Sequence, residues 1–448
     1  MDIKELYKIY QQHPVITTDS RDCPQGSIFI ALKGESFNGN AFAGKALEQG
    51  CAYAVVDEPQ VVDEDLKDRY ILVDDCLQTF KDLAREHRRQ FHIPVIGITG
   101  TNGKTTTKEL VAAVLSEEYN VMATQGNFNN DVGVPKTLFR LTDEHDIAVV
   151  EMGASHPGDI KTLVETAEPT CGLITNVGRA HLQGFGSFEG VKRTKGELYD
   201  FLRSRAEEGD PDQGFIFINA DDPDLTQMAN QRGLIFQIGY GMGNSDEIVV
   251  KGEVTGCDPF VRFRWWIEDE EEETPQKEEV QTRLIGAYNV YNMLAAIAVG
   301  LHFDIDPENI NHALENYTPS NNRSQLMRTA NNTLIVDAYN ANPTSMAAAL
   351  RNFRDMQVGN KMAILGDMRE LGDASEEEHQ RIVDMLKEFG LVNTWLVGEE
   401  FAKTKSDFRK FKDVDEVREA IEACQPQGHS ILIKGSNGTK LFLLPEVL

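Results

Sequence analysis

The sequence predicts an α/β protein of three domains, and three observations carry that prediction. Short apolar runs alternate with amphipathic helical patterns along most of the chain, as strands and helices do in layered α/β folds. A glycine-rich stretch, TGTNGKTT (Thr99 to Thr106), stands between the apolar run VIGI and a helical pattern over TTTKELVAAVLSEE. The chain has 448 residues, more than one hydrophobic core usually serves.

In residues 1–92 the runs SIFIAL, YAVV and YILV alternate with helical patterns, which predicts a small N-terminal α/β domain. Residues 93–318 contain the glycine-rich stretch and then the apolar runs VMAT, DIAVVEMG, CGLITNV, GFIFIN and LIFQIG, with helices between them. Such alternation predicts a central, mostly parallel, doubly wound sheet. EIVVKGEV, PFVRFRWWI and VQTRLI read as a meander, giving that sheet an antiparallel flank. TPSNNRSQ reads as a polar linker. In residues 319–448, TLIVDA, KMAIL, TWLVG and SILIKG alternate with helices, which predicts a C-terminal Rossmann-like α/β domain. No repeat of 20 to 50 residues is present.

Composition narrows the function classes. No run of about 18 apolar residues offers a membrane span. MDIKELYKIYQQ lacks the apolar stretch of a secretory signal. The six cysteines are scattered without a C-x-x-C pair, which suits reduced thiols in a cytoplasmic protein. A net charge of −28 argues against a nucleic-acid partner. Any anionic substrate must then meet a few cations focused in a cleft. The acidic run EDEEEE reads as a solvated hairpin loop, and a monomer is the default expectation.

The glycine-rich stretch departs from G-x-x-x-x-G-K-[ST], because Ile98 stands where the first glycine belongs. Its chemistry survives. Glycines between a strand and a helix let backbone N–H groups face an anion at the helix start. Lys104 would reach outer phosphates, and the Thr105 hydroxyl would ligate Mg²⁺. Glu151 ends the apolar strand of DIAVVEMG, where a metal-binding carboxylate belongs. His181 follows another strand in a Gly-rich loop, as a metal or phosphate contact. Lys195 falls on an apolar stripe with Phe188, Val191, Leu198 and Leu202. An ammonium there either snorkels outward or is chemically engaged. Asn289 and Asn292 open an Ala-rich helix, as caps or as readers of a base edge. Asp337, Tyr339, Asn340, Asn342 and Pro343 form a polar turn after a strand.

Together these features resemble the Mur ligase family, ATP-dependent amide-forming enzymes of peptidoglycan precursor synthesis. The family's P-loop, T-G-T-[NDK]-G-K-[TS], is matched by Thr99 to Thr105. DSR, FIALKGESFNG, GNFNNDVGVPKTL, EMGA, TNVGRAHLQGFGS, KGE, NADDP, YNVYNMLAA, DAYNANPTSM, LGDMRELG and ILIKGS recur in the family's order. They are most similar to the type that adds D-alanyl-D-alanine to UDP-N-acetylmuramoyl-tripeptide, rather than to sister ligases or folylpolyglutamate synthases. The intact motif residues also argue against a non-catalytic nucleotide-binding regulator.

The resemblance implies ATP held by Thr101, Asn102, Gly103, Lys104, Thr105 and Thr106, with Asn289 at the adenine, Arg323 at the phosphates and Asp337 at the ribose. It implies two Mg²⁺ sites, one on Thr105 and Glu151, the other on His181 and a CO₂-carbamylated Lys195. Lys104, His181 and Lys195 would be the catalytic residues. Asp19, Ser20, Arg21, Lys33 and Gly34 would hold the UDP end, and Asn129, Asn130, Thr175 and Asn176 the muramoyl peptide. Tyr339, Asn340 and Asn342 would face D-alanyl-D-alanine. Ser155, Tyr288 and Asn437 depart from the family's usual Asn, His and Arg.

Overall fold

The computed structural model describes every residue except 1, 35, 208, 211–212, 235, 269–274 and 320–322. The apolar runs of the N-terminal part become Ile28–Ile30, Tyr53–Val56 and Tyr70–Leu72. With Ile16–Thr17 at one edge they form a parallel four-stranded sheet. Helix Cys76–Arg88 covers it, burying Phe80 and Leu83 against Phe29 and Val55. Lys33–Gly34 and Phe37–Asn38 pair as a separate short hairpin.

The central sheet has nine strands. Val95–Thr99 lies between Ile147–Glu151 and Cys171–Ile174 and runs parallel to both. From it the chain first travels to Val121–Ala123 at one edge, then returns through Ile147–Glu151. It afterwards adds Cys171–Ile174, Phe215–Asn219 and Gln237–Gly241 on the other side. Connections therefore leave Val95–Thr99 and its neighbour in opposite directions, and a crevice opens at the strands' carboxyl ends. The five residues of Val95–Thr99 are all buried, as a strand covered on both faces requires.

The meander is an extension of this same sheet. Ile248–Cys257 joins parallel to Gln237–Gly241, and Phe260–Ile267 and Glu278–Ile285 follow antiparallel. Its strands alternate buried and open residues, so one face packs and the other meets water. Helix Val290–His302 fills the space between this sheet and helix Lys104–Leu115. It is buried almost all round, and its alanines let the neighbours approach closely. Residues 269–273 of the acidic run lie outside the described residues. Glu268, at its start, accepts a 2.7 Å hydrogen bond from Trp266 Nε1.

The C-terminal sheet has six strands, in the order Gln325–Arg328, Thr333–Asp337, Ser430–Lys434, Lys361–Gly366, Thr394–Val397, Arg409–Phe411. All neighbours are parallel except the first pair. Both edge strands were absent from the sequence expectation, and TPSNNRSQ is not wholly linker, because Gln325 already belongs to a strand (residues 320–322 of that segment lie outside the described residues). QLMR and RKF are short and polar, as edges that must resist further pairing usually are, so their apolar signal is weak. No helix among the described residues is long and apolar enough to cross a membrane.

Candidate active site

The crevice at the end of Val95–Thr99 holds a cavity of about 890 Å³, lined mostly by the central and C-terminal domains, with Lys81 of helix Cys76–Arg88 from the N-terminal one. On its floor is the loop from Gly100 to Gly103. Gly103 has φ +80°, and a Cβ there would lie 2.7 Å from Asn292 Oδ1, so conformation and space both demand glycine. Thr101 N–H donates to Asn176 O at 3.0 Å, and Asn102 N–H to Asn176 Oδ1 at 3.1 Å. Asn102 O accepts from Thr175 Oγ1 at 2.6 Å and Asn176 Nδ2 at 3.0 Å. Thr175 and Asn176 line the cavity, but their polar groups hold the loop.

Lys104 opens the following helix. Its Nζ donates to Gly100 O at 2.8 Å and Thr101 O at 3.1 Å. Burial lowers its pKa, nearby Glu151 opposes that, and Arg323 adds to it. The ammonium thus rests on neutral carbonyls of its own loop, partners that phosphate oxygens can replace.

Glu151 is only 1 % exposed. Thr105 Oγ1 donates to its Oε2 at 2.9 Å, and Asn129 Nδ2 to its Oε1 at 2.8 Å. Its own N–H donates to Thr124 Oγ1 at 3.0 Å. Behind this lies a network unforeseen from sequence. Buried Lys108 donates to Thr124 O at 2.9 Å and sits 3.6 Å from the Glu109 carboxylate, which accepts from Tyr317 Oη at 2.6 Å. The donors around Glu151 are hard oxygens and an amide, a set that suits Mg²⁺.

Above the floor, Lys434 Nζ pairs with Asp337 at 2.6 Å, and the Arg323 guanidinium lies 4.0 Å from the Tyr339 ring centroid. Asn289 lines the cavity, yet its amide is occupied. Nδ2 donates to Ile285 O and Oδ1 accepts from Asn292 Nδ2, each at 2.8 Å. Asn289 stands at the N-cap position of helix Val290–His302 without a side-chain capping bond, and its amide braces the turn. Asn342 caps helix Pro343–Asp355 through a capping box with Ser345, and its Nδ2 donates to Asn102 Oδ1 at 2.7 Å. Asn340 Oδ1 accepts from Ala341 N–H at 2.8 Å. His181, at φ +50°, meets the Glu370 carboxylate. Burial lowers the pKa of this imidazole and Glu370 opposes the shift.

Lys195 is buried in helix Phe188–Ala206 with Val191, Leu198 and Leu202. Phe188, expected on the same stripe, is only half-buried, because it occupies the helix's first, outer turn. The Lys195 ammonium stands 5.8 Å from the Phe185 ring centroid, without a hydrogen bond or ion pair among the described residues. Burial first, and the Lys104 charge second, push its pKa well below the ordinary lysine range. It does not itself line the cavity.

The N-terminal candidates also stand outside the cavity lining. Arg21 Nη2 and Nε pair with the Asp19 carboxylate at 2.7 and 2.9 Å, which holds that carboxyl well below its usual range. Ser20 lies between them, half-buried. Lys33, beside Gly34 in the hairpin, pairs with Asp57 at 2.8 Å and Glu58 at 3.2 Å. Thr106 and Asn130 do line the cavity.

Comparison with known proteins resolves what this geometry belongs to. Residues 14–88 match the description "Mur ligase family, catalytic domain", 98–300 "Mur ligase middle domain", and 322–437 "Mur ligase, glutamate ligase domain". The UDP-N-acetylmuramoyl-tripeptide–D-alanyl-D-alanine ligase of Bacillus subtilis is 33% identical over 437 residues, 95% of this chain and 91% of its own. The chain belongs to the Mur ligase family. The ligase of the same name from Escherichia coli is 35% identical over 86% of this chain and 81% of its own. A MurF structure from Acinetobacter baumannii superposes with a TM-score of 0.85 at 30% identity, covering 96% of this chain and 92% of that one. A structure of UDP-N-acetylmuramoylalanyl-D-glutamyl-2,6-diaminopimelate–D-alanyl-D-alanyl ligase from the same organism has a TM-score of 0.80 at 29% identity, with the same coverage.

Among the lining residues of this Mur ligase's cavity that sequence reasoning did not single out are four Lys and Asp side chains: Lys81, Asp131, Asp159 and Lys434. Lys434 had a readable signal, a charge ending an otherwise apolar strand, SILIK. Asp159 accepts the N–H groups of Ser155 and His156, each at 2.8 Å, a local turn that sequence alone does not reveal. Asn437, one of the departures from the family pattern, begins a short turn against which the Arg369 guanidinium lies.

The Lys108 network yields a prediction. Lys108→Met leaves Thr124 O and Glu109 short of a buried partner and should destabilise the protein by roughly 1–3 kcal/mol. Chemical denaturation measures it; an unshifted midpoint would show that water replaces the ammonium without loss.

Proposed function

We propose that this Mur ligase joins the terminal carboxylate of UDP-N-acetylmuramoyl-tripeptide to the amine of D-alanyl-D-alanine at the expense of ATP, in peptidoglycan precursor synthesis. The observation that carries this reading is the Gly100–Thr106 cradle beside the buried Glu151–Thr105 pair, in a chain similar over nearly its whole length to ligases of that name. Residues 1–92, 93–318 and 319–448 serve as nucleotide-sugar, ATP and dipeptide domains.

In the first step an oxygen of the tripeptide carboxylate attacks the γ-phosphorus, and the bond to the β-phosphate bridging oxygen breaks. ADP and an acyl phosphate result. Lys104 exchanges its two loop carbonyls for phosphate oxygens as charge develops there. Arg323 supplies a second cation from the other wall. In the second step the dipeptide amine attacks the acyl carbon, the carbon–oxygen bond breaks, phosphate leaves and the nitrogen gives up a proton. Tyr339 and Asn340 line the cavity where the dipeptide must arrive. Closing the walls replaces bulk water by fixed donors and orients three substrates at once.

Thr105 and Glu151 would hold Mg²⁺, which neutralises charge on the phosphate oxygens when bound. The second site needs more than the residues as they stand, since no group of three His, Cys, Asp or Glu side chains gathers among the described residues. A carbamate on Lys195 would supply the missing anion beside His181. A lysine pushed towards its neutral amine favours that modification, because the neutral amine is the form that adds CO₂.

ATP, Mg²⁺, UDP-N-acetylmuramoyl-tripeptide and D-alanyl-D-alanine, assayed together for phosphate and pentapeptide, test the whole reading; ATP hydrolysis without pentapeptide would refute it. Lys104→Ala should lower turnover about 10²- to 10³-fold with an unchanged circular dichroism spectrum. Arg21→Ala should raise KM for the nucleotide sugar well above any change in KM for ATP. Equal effects on the two would move Arg21 out of the UDP site. Lys195→Ala should be nearly inactive while still binding ATP, with partial rescue by a short-chain carboxylic acid. A fully active Lys195→Ala protein would leave no role for a carbamate.

A further inference from the structure

Two charged side chains on the cavity wall have no task in the chemistry above. Lys81 comes from helix Cys76–Arg88 of the N-terminal domain, and Asp131 from the loop leading into helix Gly133–Leu138. Those two helices pack together, with the Phe80 and Phe139 rings 5.6 Å apart, so both charges belong to one wall. Each is half-buried. Among the described residues neither makes a side-chain hydrogen bond or an ion pair.

Most of the other charges of the cavity already have partners. Glu151 is bonded to Thr105 and Asn129, Asp337 to Lys434, and Asp159 to two backbone N–H groups. Lys104 serves the phosphate loop, and Arg323, its buried Nε without a hydrogen bond, lies over Tyr339 and faces the phosphates in the proposed chemistry. An opposite-charge pair that is left open, on one wall, matches a ligand group that itself carries both signs.

The ligase reading says where such a group would be. The residue that presents the reacting carboxylate is the third of the tripeptide, so its side chain leaves from beside the reacting atoms. Asn129, two residues before Asp131, is bonded to Glu151 at that centre. We propose that Lys81 and Asp131 bind the side chain of the third peptide residue and select one that ends in both an ammonium and a carboxylate over one that ends in an ammonium alone. Asp131 takes the ammonium, and Lys81 takes the carboxylate. This rests on the ligase function proposed above.

The experiment compares kcat/KM of the full chain for two nucleotide substrates, one with meso-diaminopimelate and one with lysine at the third position. The wild type should prefer the diaminopimelate substrate by roughly 10- to 100-fold, as expected of a charged hydrogen bond gained or lost. Lys81→Met should bring that ratio towards one, Lys81→Arg should largely keep it, and Asp131→Asn should lower kcat/KM for both substrates. A wild-type ratio at or below one overturns the proposal. So does a ratio that Lys81→Met leaves unchanged, or an Asp131→Asn variant at wild-type values with both substrates. Turnover of neither nucleotide would instead sink the ligase reading beneath it.

Discussion

The architecture turns on one buried carboxylate. Glu151 sits almost wholly out of water, where an unpaired charge would be very costly. Its bonds come from separate pieces of chain: Thr105 on the phosphate-loop helix, Asn129 on the GNFNN loop, and Thr124 after the edge strand. Holding that charge therefore fixes three loops relative to one another before any substrate arrives. The same loops line the cavity, so satisfying one buried charge also sets the cavity's geometry. Lys108 extends the constraint by tying Thr124 to the phosphate-loop helix from behind.

A second constraint governs how the C-terminal domain meets this centre. Near the phosphate loop the contacts are polar: Asn102 with Asn342, Arg179 with Glu378, and His181 with Glu370. On the meander side Phe260 and Ile285 instead pack into the C-terminal domain's apolar core beside Met346 and Leu365. Polar contacts exchange readily with water and substrate, whereas apolar packing resists parting. The seam thus suits opening at the cavity mouth about an anchored meander, which lets large substrates enter. Tyr317 stands just before the segment that crosses to the third domain, and its bond to Glu109 links that crossing to the Lys108 network.

How much of this could be read in the sequence follows from where each signal originates. Buried strands such as VIGIT and SILIK announce themselves because both their faces need apolar residues. Edge strands such as QLMR and RKF do not, since their surroundings ask for polarity. The phosphate loop was legible because positive φ and close approach demand glycine at fixed places. The partners of Asn289, Ile285 O and Asn292, were not legible, because they are set by a turn that no composition reveals. The Asp19–Arg21 and Lys33–Asp57 pairs show another limit. Charged motif residues engage nearby carboxylates, pairings that the motif itself does not announce. Lys81 was invisible for a simpler reason: it reaches the cavity only because a helix of one domain packs on a helix of the next.

The net charge of −28 gains a physical meaning from these positions. ATP and a nucleotide sugar are polyanions, which a chain of such net charge repels on the whole. In the cavity, Lys81, Lys104, Arg323 and Lys434 gather from all three domains, while the carboxylates there are mostly tied up by hydroxyl, amide, backbone or lysine partners. Low-dielectric walls concentrate the field of those few cations, so the attraction is local and weakly screened. Each domain supplies only part of that field. The attraction felt by the substrates is complete only when the three domains face one another, so binding the anions itself favours the assembled cavity.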